Sequence, residues 1–311
     1  MKKFLLLFGL VLVLSCKKSD SVNNVDTSLS GDLLFIRQVS SGAFASAEIF
    51  KLNIATGTET LVTNFSVNGT ITQRSIYGMG WNSTKTKIVF SSTKDNLDGD
   101  IYTCNTDGSS VIRLTTNGFM DILPEFSPDG TKIAFITGSD LVIMNADGTN
   151  QSMLTTSAAN GRIQAFCFKN NSEIYFTSDK DFARNDIYKV NITSLAKTRI
   201  TTNLGIIGDF ELSSDGNYFV YAKDLTSNFR VDEIYKIKVD GTSETRLTNF
   251  SNNGALNIDT KSPCFTTDGR IIFESTKGET TYGELYVMQS DGSNVRRLTN
   301  NTKAEHLPKI R

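Results

Sequence analysis

Short apolar runs that end in an aromatic residue recur along the chain, each followed by two further strand-like runs. The second run of each unit begins with an acidic residue, as in Asp100-Ile101-Tyr102, and the third ends in threonine, as in Arg113-Leu114-Thr115. Hydrophobic and polar positions do not follow a sustained helical period in these units. The six copies of the first run are Leu33-Leu34-Phe35, Ile88-Val89-Phe90, Ile133-Ala134-Phe135, Ile174-Tyr175-Phe176, Phe219-Val220-Tyr221 and Ile271-Ile272-Phe273.

The spacing of these units predicts an all-β fold built from repeated blades. The aromatic residues lie about 40 to 55 residues apart, and Asp-Gly or Asn turns separate the runs, which is typical of short strands joined by hairpins. A period of this length accommodates four strands per unit, and radial repetition of such units forms a β-propeller. We therefore predict a six-bladed propeller of four-stranded blades, with an open solenoid as the main alternative.

The two ends of the repeat region predict that the ring is closed. Five units begin with an inner strand, as in Leu123-Pro124-Glu125-Phe126, but no such run precedes Leu33. A matching run instead ends the chain, Leu307-Pro308-Lys309-Ile310-Arg311. We expect this last run to become the inner strand of the first blade, which would leave no exposed strand edge.

These motifs resemble the TolB-type propeller repeat, which is related to the WD repeat. The clearest unit contains Ser127-Pro128-Asp129-Gly130, then Ile133-Ala134-Phe135, then Asp147-Gly148 and a run ending at Thr155. The resemblance covers residues 31 to 311, although the other units keep only fragments of the Ser-Pro-Asp-Gly turn. It implies a propeller without the α/β domain that precedes the repeats in TolB, and fold similarity alone is weak evidence for function.

The N-terminal region is expected to direct export and membrane anchoring. Lys2 and Lys3 precede an apolar run of eleven residues, which is too short to span a bilayer and fits a signal peptide over residues 1–15. The segment Val13-Leu14-Ser15-Cys16 resembles a bacterial lipobox, so Cys16 is the predicted lipidation site. Residues 16–30 then form a polar tether before the propeller at 31–311. The resemblance, with Lys17 after the cysteine, implies an outer-membrane lipoprotein facing the periplasm.

Composition and cysteine content exclude several classes of protein. Hydrophobic residues make up 39% of the chain, enough for a packed core, and 32 basic residues against 33 acidic ones leave no positive field for nucleic acid. Cys104, Cys167 and Cys264 are widely spaced and lie within apolar runs. We expect them to be buried free thiols rather than parts of a disulfide framework or a metal site.

The residues provide no candidate catalytic apparatus and no evident cofactor or metal site. The single histidine, His306, has no obvious nucleophile partner, and a Gly-x-Ser-x-Gly elbow is absent from the sequence. The segment Asp95–Asp100 contains closely spaced carboxylates but does not match EF-hand spacing, so a solvated hairpin is favoured over a calcium loop. The acids that begin the second runs are interpreted as repeated structural groups, with the arginines of the third runs as candidate partners.

Loop lengths predict that one face of the propeller carries the ligand site. The turns after the inner and third strands are tight, whereas the other connections are long, and these two sets lie on opposite faces. We expect recognition on the long-loop face, because long loops on a rigid scaffold commonly bind partners. The long segments comprise residues 37–47, 64–76, 92–99, 178–185, 223–232, 249–261 and 276–283. Their candidate binding residues are Phe44, Arg74, Phe182, Arg184, Phe229, Arg230 and Tyr282.

Two functions follow from this pattern, and the aromatic residues leave one structural alternative. Exposed Phe and Arg side chains favour a monomeric, lipid-anchored, non-enzymatic binder of a protein or peptide of the cell envelope. A glycan-binding module is the alternative, because the loops also contain several asparagines and Tyr282; a propeller lyase acting on oligosaccharides fits less well with one histidine. Phe44, Phe182 and Phe229 could instead pack inward and hold their own loops.

Overall fold

The structure is a computed structural model and describes residues 31–39, 46–65, 75–181, 185–202, 204–225, 232–250, 258–277, 283–300 and 303–310. These residues form almost entirely antiparallel sheet, as the alternation of β-branched and aromatic residues predicts. Within them, no helix has the length and apolar character needed to cross a membrane.

Twenty-four strands and one short helix make up the described part of the chain. The first eleven strands are β1 (Asp32–Gln38), β2 (Ala47–Asn53), β3 (Thr58–Leu61), β4 (Ile76–Trp81), β5 (Lys87–Ser92), β6 (Asp100–Asn105), β7 (Ile112–Arg113), β8 (Asp121–Phe126), β9 (Lys132–Thr137), β10 (Asp140–Asn145) and β11 (Ser152–Met153). The short helix α1 (Ser157–Asn160) follows β11. The remaining strands are β12 (Ile163–Asn170), β13 (Glu173–Ser178), β14 (Asp186–Asn191), β15 (Lys197–Arg199), β16 (Ile206–Leu212), β17 (Tyr218–Asp224), β18 (Asp232–Lys238), β19 (Thr245–Arg246), β20 (Thr260–Phe265), β21 (Ile271–Ser275), β22 (Glu284–Met288), β23 (Arg296–Arg297) and β24 (Glu305–Ile310).

The strands form six four-stranded sheets, which confirms the predicted six-bladed propeller. Five sheets contain four consecutive strands each, and the sixth has the order β24-β1-β2-β3. The C-terminal strand thus completes the first blade, with Leu33 opposite Ile310 and Arg37 opposite Glu305. No inner strand precedes Leu33 in the described part of the chain, and β24 supplies it. The two ends of the described repeat region therefore lie in one sheet, which closes the ring.

Aromatic residues pair across the second and third strands of five blades. In the blade of β4 to β7, for example, Phe90 lies opposite Tyr102 with ring centroids 5.5 Å apart. Cross-strand aromatic pairs of this kind stabilise sheets and fill the space between blades. The blade of β8 to β11 differs, because Phe135 lies opposite Val142. The other pairs are Phe35–Phe50, Phe176–Tyr188, Tyr221–Tyr235 and Phe273–Tyr286.

In four blades, the acid at or near the start of the third strand forms the same internal network with a threonine and an arginine. In the second blade Asp100 is fully buried, accepts a hydrogen bond from Thr115 and lies 2.5 Å from Arg113. Pairing buried carboxylates with arginine and threonine compensates for their loss of hydration. These contacts confirm the arginines as partners of the acids, as expected from the sequence. The equivalent ion pairs are Asp186–Arg199, Glu233–Arg246 and Glu284–Arg297, with atom distances of 2.6–2.9 Å.

The blade of β8 to β11 lacks this arginine. Met153 occupies the position, with half of its surface exposed, and the Oδ1 atom of Asp140 is buried without a hydrogen-bond partner. Burial raises the pKa of Asp140, whereas a backbone hydrogen bond from Ser157 opposes that shift. This blade therefore keeps the fold with a carboxylate that is less well compensated than its equivalents.

The three described cysteines are buried free thiols, as expected. Burial raises the pKa of Cys104 to about 12 and raises those of Cys167 and Cys264 well above their ordinary value. A thiol with a raised pKa is rarely ionised at neutral pH and is therefore a poor nucleophile or metal ligand. These side chains act as small apolar groups in the packing between blades.

Candidate functional site

The inner strands of the blades surround a central channel that narrows to a constriction of about 80 Å³. Glu125, Glu211 and Lys309 lie there, and Lys309 Nζ is 3.1 Å from Glu211 Oε2. Burial alone would lower the pKa of Lys309, but Glu211, Glu125 and Asp209 raise it above its ordinary value. The constriction therefore carries an ammonium that stays charged and is compensated by carboxylates of β8 and β16, on blades across the channel.

Bulges in the inner strands direct side chains toward one end of the channel. Leu123, Ser262 and Leu307 occupy equivalent positions and adopt left-handed backbone conformations, with φ of 51°, 49° and 50°. The register shifts at these residues, as between Ile122 and Glu125 in β8. Such bulges reorient side chains and are common near binding sites. All three bulged residues line the mouth of the channel on the long-loop face.

A glycine replaces the bulged residue in β4 for steric reasons. Gly78 has φ of 144°, and a Cβ built there would lie 2.6 Å from the Cα of Leu123 in the neighbouring strand. Only glycine accommodates both the backbone conformation and this close approach. The strand β4 can therefore pack directly against β8 at the channel.

The mouth on the long-loop face is a spacious candidate site, with a cavity of about 640 Å³. Its walls include apolar residues such as Ile76, Ile122 and Leu307, together with charged and polar groups. Sites for organic ligands typically have this volume and this mixture of apolar walls with a few polar groups. A second cavity of about 310 Å³ opens at the opposite, tight-turn face.

Charged residues cluster on the side of the mouth formed by β18, β20, β21 and β24. Lys261 Nζ lies 3.0 Å from Asp259 Oδ2 and 3.7 Å from Glu274 Oε1. His306 Nδ1 lies 2.8 Å from the same Glu274 oxygen, and Asp232 lines the cavity beside them. His306 is thus paired with a carboxylate, and the structure places it in the wall of the mouth.

Two carboxylates of this cluster have an oxygen without a hydrogen-bond partner. Asp232 is 9% exposed and Glu274 is 3% exposed, and their Oδ1 and Oε2 atoms, respectively, are buried and unpaired. Burial, Asp259 and Asp224 together raise the pKa of Asp232 to about 7. Burial would lower the pKa of Lys261, but Glu274, Asp259 and Asp232 raise it. Among the described residues that line the mouth, the carboxylates therefore outnumber the single lysine.

Exposed apolar side chains lie on the long-loop face, in two connections that reach a wall residue of the mouth. Phe119 is 67% exposed and Leu97 is 79% exposed, and both belong to long-face connections next to β8. The two connections meet where the Asp121 N–H donates to the Gly99 carbonyl, and Gly99 lies beside Tyr77, a residue of the cavity wall. Phe119, Leu97 and the half-exposed Met120 are called the apolar rim below. Exposed aromatic and aliphatic groups beside a cavity are typical anchors of protein interfaces.

The candidate binding residues from the sequence lie outside the described residues, as does the predicted lipidation site Cys16. The seven are Phe44, Arg74, Phe182, Arg184, Phe229, Arg230 and Tyr282. They stay predictions, and so do the boundaries of the signal peptide and tether.

The segment Asp95–Asp100 is held by its own hydrogen bonds. Asn96 donates from its side chain to Asp100 and accepts from the backbone N–H groups of Asp98 and Gly99. Asp95 is bonded by Lys94 and by the Tyr102 hydroxyl. Among the described residues, no group of three or more histidine, cysteine, aspartate or glutamate side chains has the arrangement needed to hold a metal ion.

Sequence reasoning missed the charged mouth and the apolar rim. Asp232 precedes the recurrent acid Glu233, a position that is Ala, Gly, Ser, Asn and Gly in the other blades. Glu274 follows an apolar-apolar-aromatic run, where the other copies have Ile, Ser, Ile, Thr and Ala. Each residue is charged at a repeat position that is uncharged in the other five blades. This difference could have identified both residues from the sequence as candidates for a binding role. Phe119 was a detectable aromatic in a connection between blades.

Comparison with known proteins shows that the chain is similar to TolB proteins. No protein-family model matches the chain. A TolB homologue from Chlorobium luteolum is 26% identical over 273 residues, an alignment that spans 73% of this chain. The same alignment spans 58% of the relative, so the chain matches less than two thirds of that protein's length.

Solved structures of several propellers share the fold. The crystal structure of TolB from Acinetobacter baumannii has a TM-score of 0.71 at 17% identity, covering 90% of this chain and 66% of that one. A nidogen/laminin complex contains a chain with a TM-score of 0.66 at 10% identity, with coverage of 90% and 98%. An oligogalacturonate lyase from Vibrio parahaemolyticus has a TM-score of 0.56 at 15% identity, with coverage of 77% and 71%. Identities this low show a shared fold: the chain is a six-bladed β-propeller that is similar in sequence and structure to TolB proteins.

Proposed function

We propose that this protein is a lipid-anchored, non-enzymatic binding protein of the cell envelope that recognises a protein or peptide partner through its long-loop face. The observation that carries the proposal is the spacious mouth, about 640 Å³, with the apolar rim beside it. A cavity next to exposed Phe119 and Leu97 offers both a pocket and surface anchors, the combination found at centres of protein recognition.

Similarity to TolB supports an envelope location, and the apparent leader supports export. The lipobox-like segment ending at Cys16, followed by Lys17, favours anchoring in the outer membrane with the propeller facing the periplasm. A tether of residues 16–30 would hold the propeller off the membrane and leave the long-loop face accessible. The nidogen/laminin complex adds that a chain with this fold takes part in a protein assembly.

Site-specific photocrosslinking tests the proposal. The full chain would carry p-benzoylphenylalanine in place of Phe119, and a matched protein would carry it in place of Leu195, which is 44% exposed on the tight-turn face. Crosslinking in intact native cells should yield a discrete protein adduct from position 119 that position 195 does not form. Equal adducts from both positions, or adducts from position 195 alone, would contradict recognition by the long-loop face.

The glycan alternative has a separate readout. A glycan-binding module would retain one sugar class on an array, and that retention would fall when Phe119 and Leu97 are changed to alanine. Retention of a glycan without any protein adduct from position 119 would favour this alternative. The lyase alternative depends on shared fold alone, and it would require release of unsaturated sugars from oligogalacturonate.

A further inference from the structure

The two charged departures from the repeat come together at one place in the mouth. Asp232 begins β18 and Glu274 lies in β21 of the next blade. Both nevertheless line the same cavity, and both raise the pKa of Lys261. The equivalent positions in the other blades hold uncharged residues. Because the repeat fold forms without these carboxylates in five of six blades, they are not needed to build a blade.

Their unpaired oxygens are the independent observation that points to a ligand. Asp232 and Glu274 are at least nine-tenths buried, and each has a buried oxygen that no described residue hydrogen-bonds. An unpaired buried carboxylate oxygen costs free energy unless a proton or a cation compensates it. Within the described structure, Lys261 is already 3.0 Å from Asp259, which lies beside the cavity, and Asp209 accepts a hydrogen bond from Ser262.

We propose that the mouth binds the cationic side chain of a lysine or arginine presented by a peptide segment of the partner. This inference rests on the proposed function and names the chemistry that the same site recognises. The cation lies against Asp232 and Glu274, and its methylene stem packs on apolar wall residues such as Ile76 and Leu307. Long basic side chains commonly bury their stems in this way while the charged head meets carboxylates.

An organic cation fits the arrangement better than a metal ion. The described carboxylates and His306 do not converge in a group that could hold a metal. A cavity of about 640 Å³ exceeds the size of one side chain and leaves room for the neighbouring peptide backbone. The apolar rim then contacts the partner residues on either side of the basic residue, so the pocket and the rim bind one continuous peptide segment.

The test uses a short probe with a matched neutral counterpart. The capped pentapeptide Ac-Ala-Ala-Lys-Ala-Ala-amide is titrated to about 10 mM, enough to detect a Kd near 1 mM, against the same peptide with acetylated lysine. Binding is followed by the ¹³C-methyl resonances of methionine in the full chain at low ionic strength, where charge interactions are least screened. Met79 lies at the constriction and Met120 on the apolar rim, whereas Met153 and Met288 lie away from the mouth.

The lysine peptide should shift the Met79 or Met120 resonance and leave Met153 and Met288 unchanged, and the acetylated peptide should not. Asp232→Asn and Glu274→Gln should each weaken binding about tenfold, because each removes one charge-assisted contact. Asp98→Asn removes an exposed carboxylate outside the cavity and should leave binding unchanged. The methionine spectrum confirms that each variant is folded, and Asp232→Asn is sufficient if Glu274→Gln does not fold.

Equal binding of the two peptides, no shift at the highest concentration, or unchanged binding by a folded Asp232→Asn variant would overturn the inference. Crosslinking from position 119 separates this failure from failure of the proposed function. If the partner adduct forms equally well with Asp232→Asn, the proposed recognition by the long-loop face would stand and the proposed cation site would be refuted. Loss of that adduct in Asp232→Asn, with Asp98→Asn unaffected, would support both.

Discussion

Closure of the ring by the C-terminal strand can be tested at a single side chain. Ile310 is 5% exposed and packs in a cluster with Leu33 and Leu52 of the first blade and Ile272 of the last. Ile310→Ala would remove three carbon atoms from the junction of these blades. Truncations of buried aliphatic side chains to alanine cost about 2–5 kcal/mol, and a side chain at the end of a strand can relax, so we expect about 2–3 kcal/mol.

The assay is thermal and guanidinium unfolding of the variant beside a matched control. Ile112→Ala makes the same change on the outer strand β7, where the side chain is 52% exposed, and should alter stability by less than about 0.5 kcal/mol. For a domain of this size, the Ile310→Ala midpoint should fall by roughly 4–10 °C. If Ile310→Ala and Ile112→Ala melt together, the C-terminal strand does not hold the ring closed and the reasoning is refuted.

Further predictions concern the blade with an uncompensated acid and the titration of the mouth. Met153→Arg should stabilise the protein by about 0.5–1 kcal/mol by supplying Asp140 with the arginine partner that four of its five equivalents have, and Met153→Gln, measured in the same denaturant series, should not. The raised pKa of Asp232, about 7, means that the folded state holds a proton that the unfolded state releases near pH 4. Stability should therefore fall by about 1–3 kcal/mol between pH 4 and 7 through this group. Asp232→Asn should flatten that part of the curve, and an unchanged slope would contradict the assigned titration. The charged groups facing Asp232 are Asp259, Asp224 and Lys261.

The fold could be predicted from sequence because its determinants are local and repeated. Each unit contains the same order of strand types, and the position of one complete unit, around Ser127-Pro128-Asp129-Gly130, aligns the weaker ones. The closing strand was identifiable because Leu307-Pro308 matches Leu123-Pro124 in a place where a strand was missing. Local patterns of this kind specify blades regardless of how far apart the paired segments lie.

The candidate site could not be predicted in the same way, because it depends on contacts between blades. Asp232 and Glu274 lie on neighbouring blades, and the repeat pattern alone does not place their side chains in one cavity. Their burial, and the position of Lys261 between Asp259 and Glu274, depend on how the blades pack against one another. The bulged residues Leu123, Ser262 and Leu307 each precede a proline, but such a pair does not by itself predict a bulge or the side chains that a bulge directs into the mouth.

The regularity of the repeat nevertheless provides a way to locate function within it. Residues shared by the blades, such as the buried acid with its threonine and arginine, are explained by blade folding alone. Asp232 and Glu274 are not explained in this way, because they are buried, charged and incompletely paired at positions where other blades have neutral residues. A buried charge that the fold does not need costs stability, and that cost is understandable when a binding partner compensates the charge.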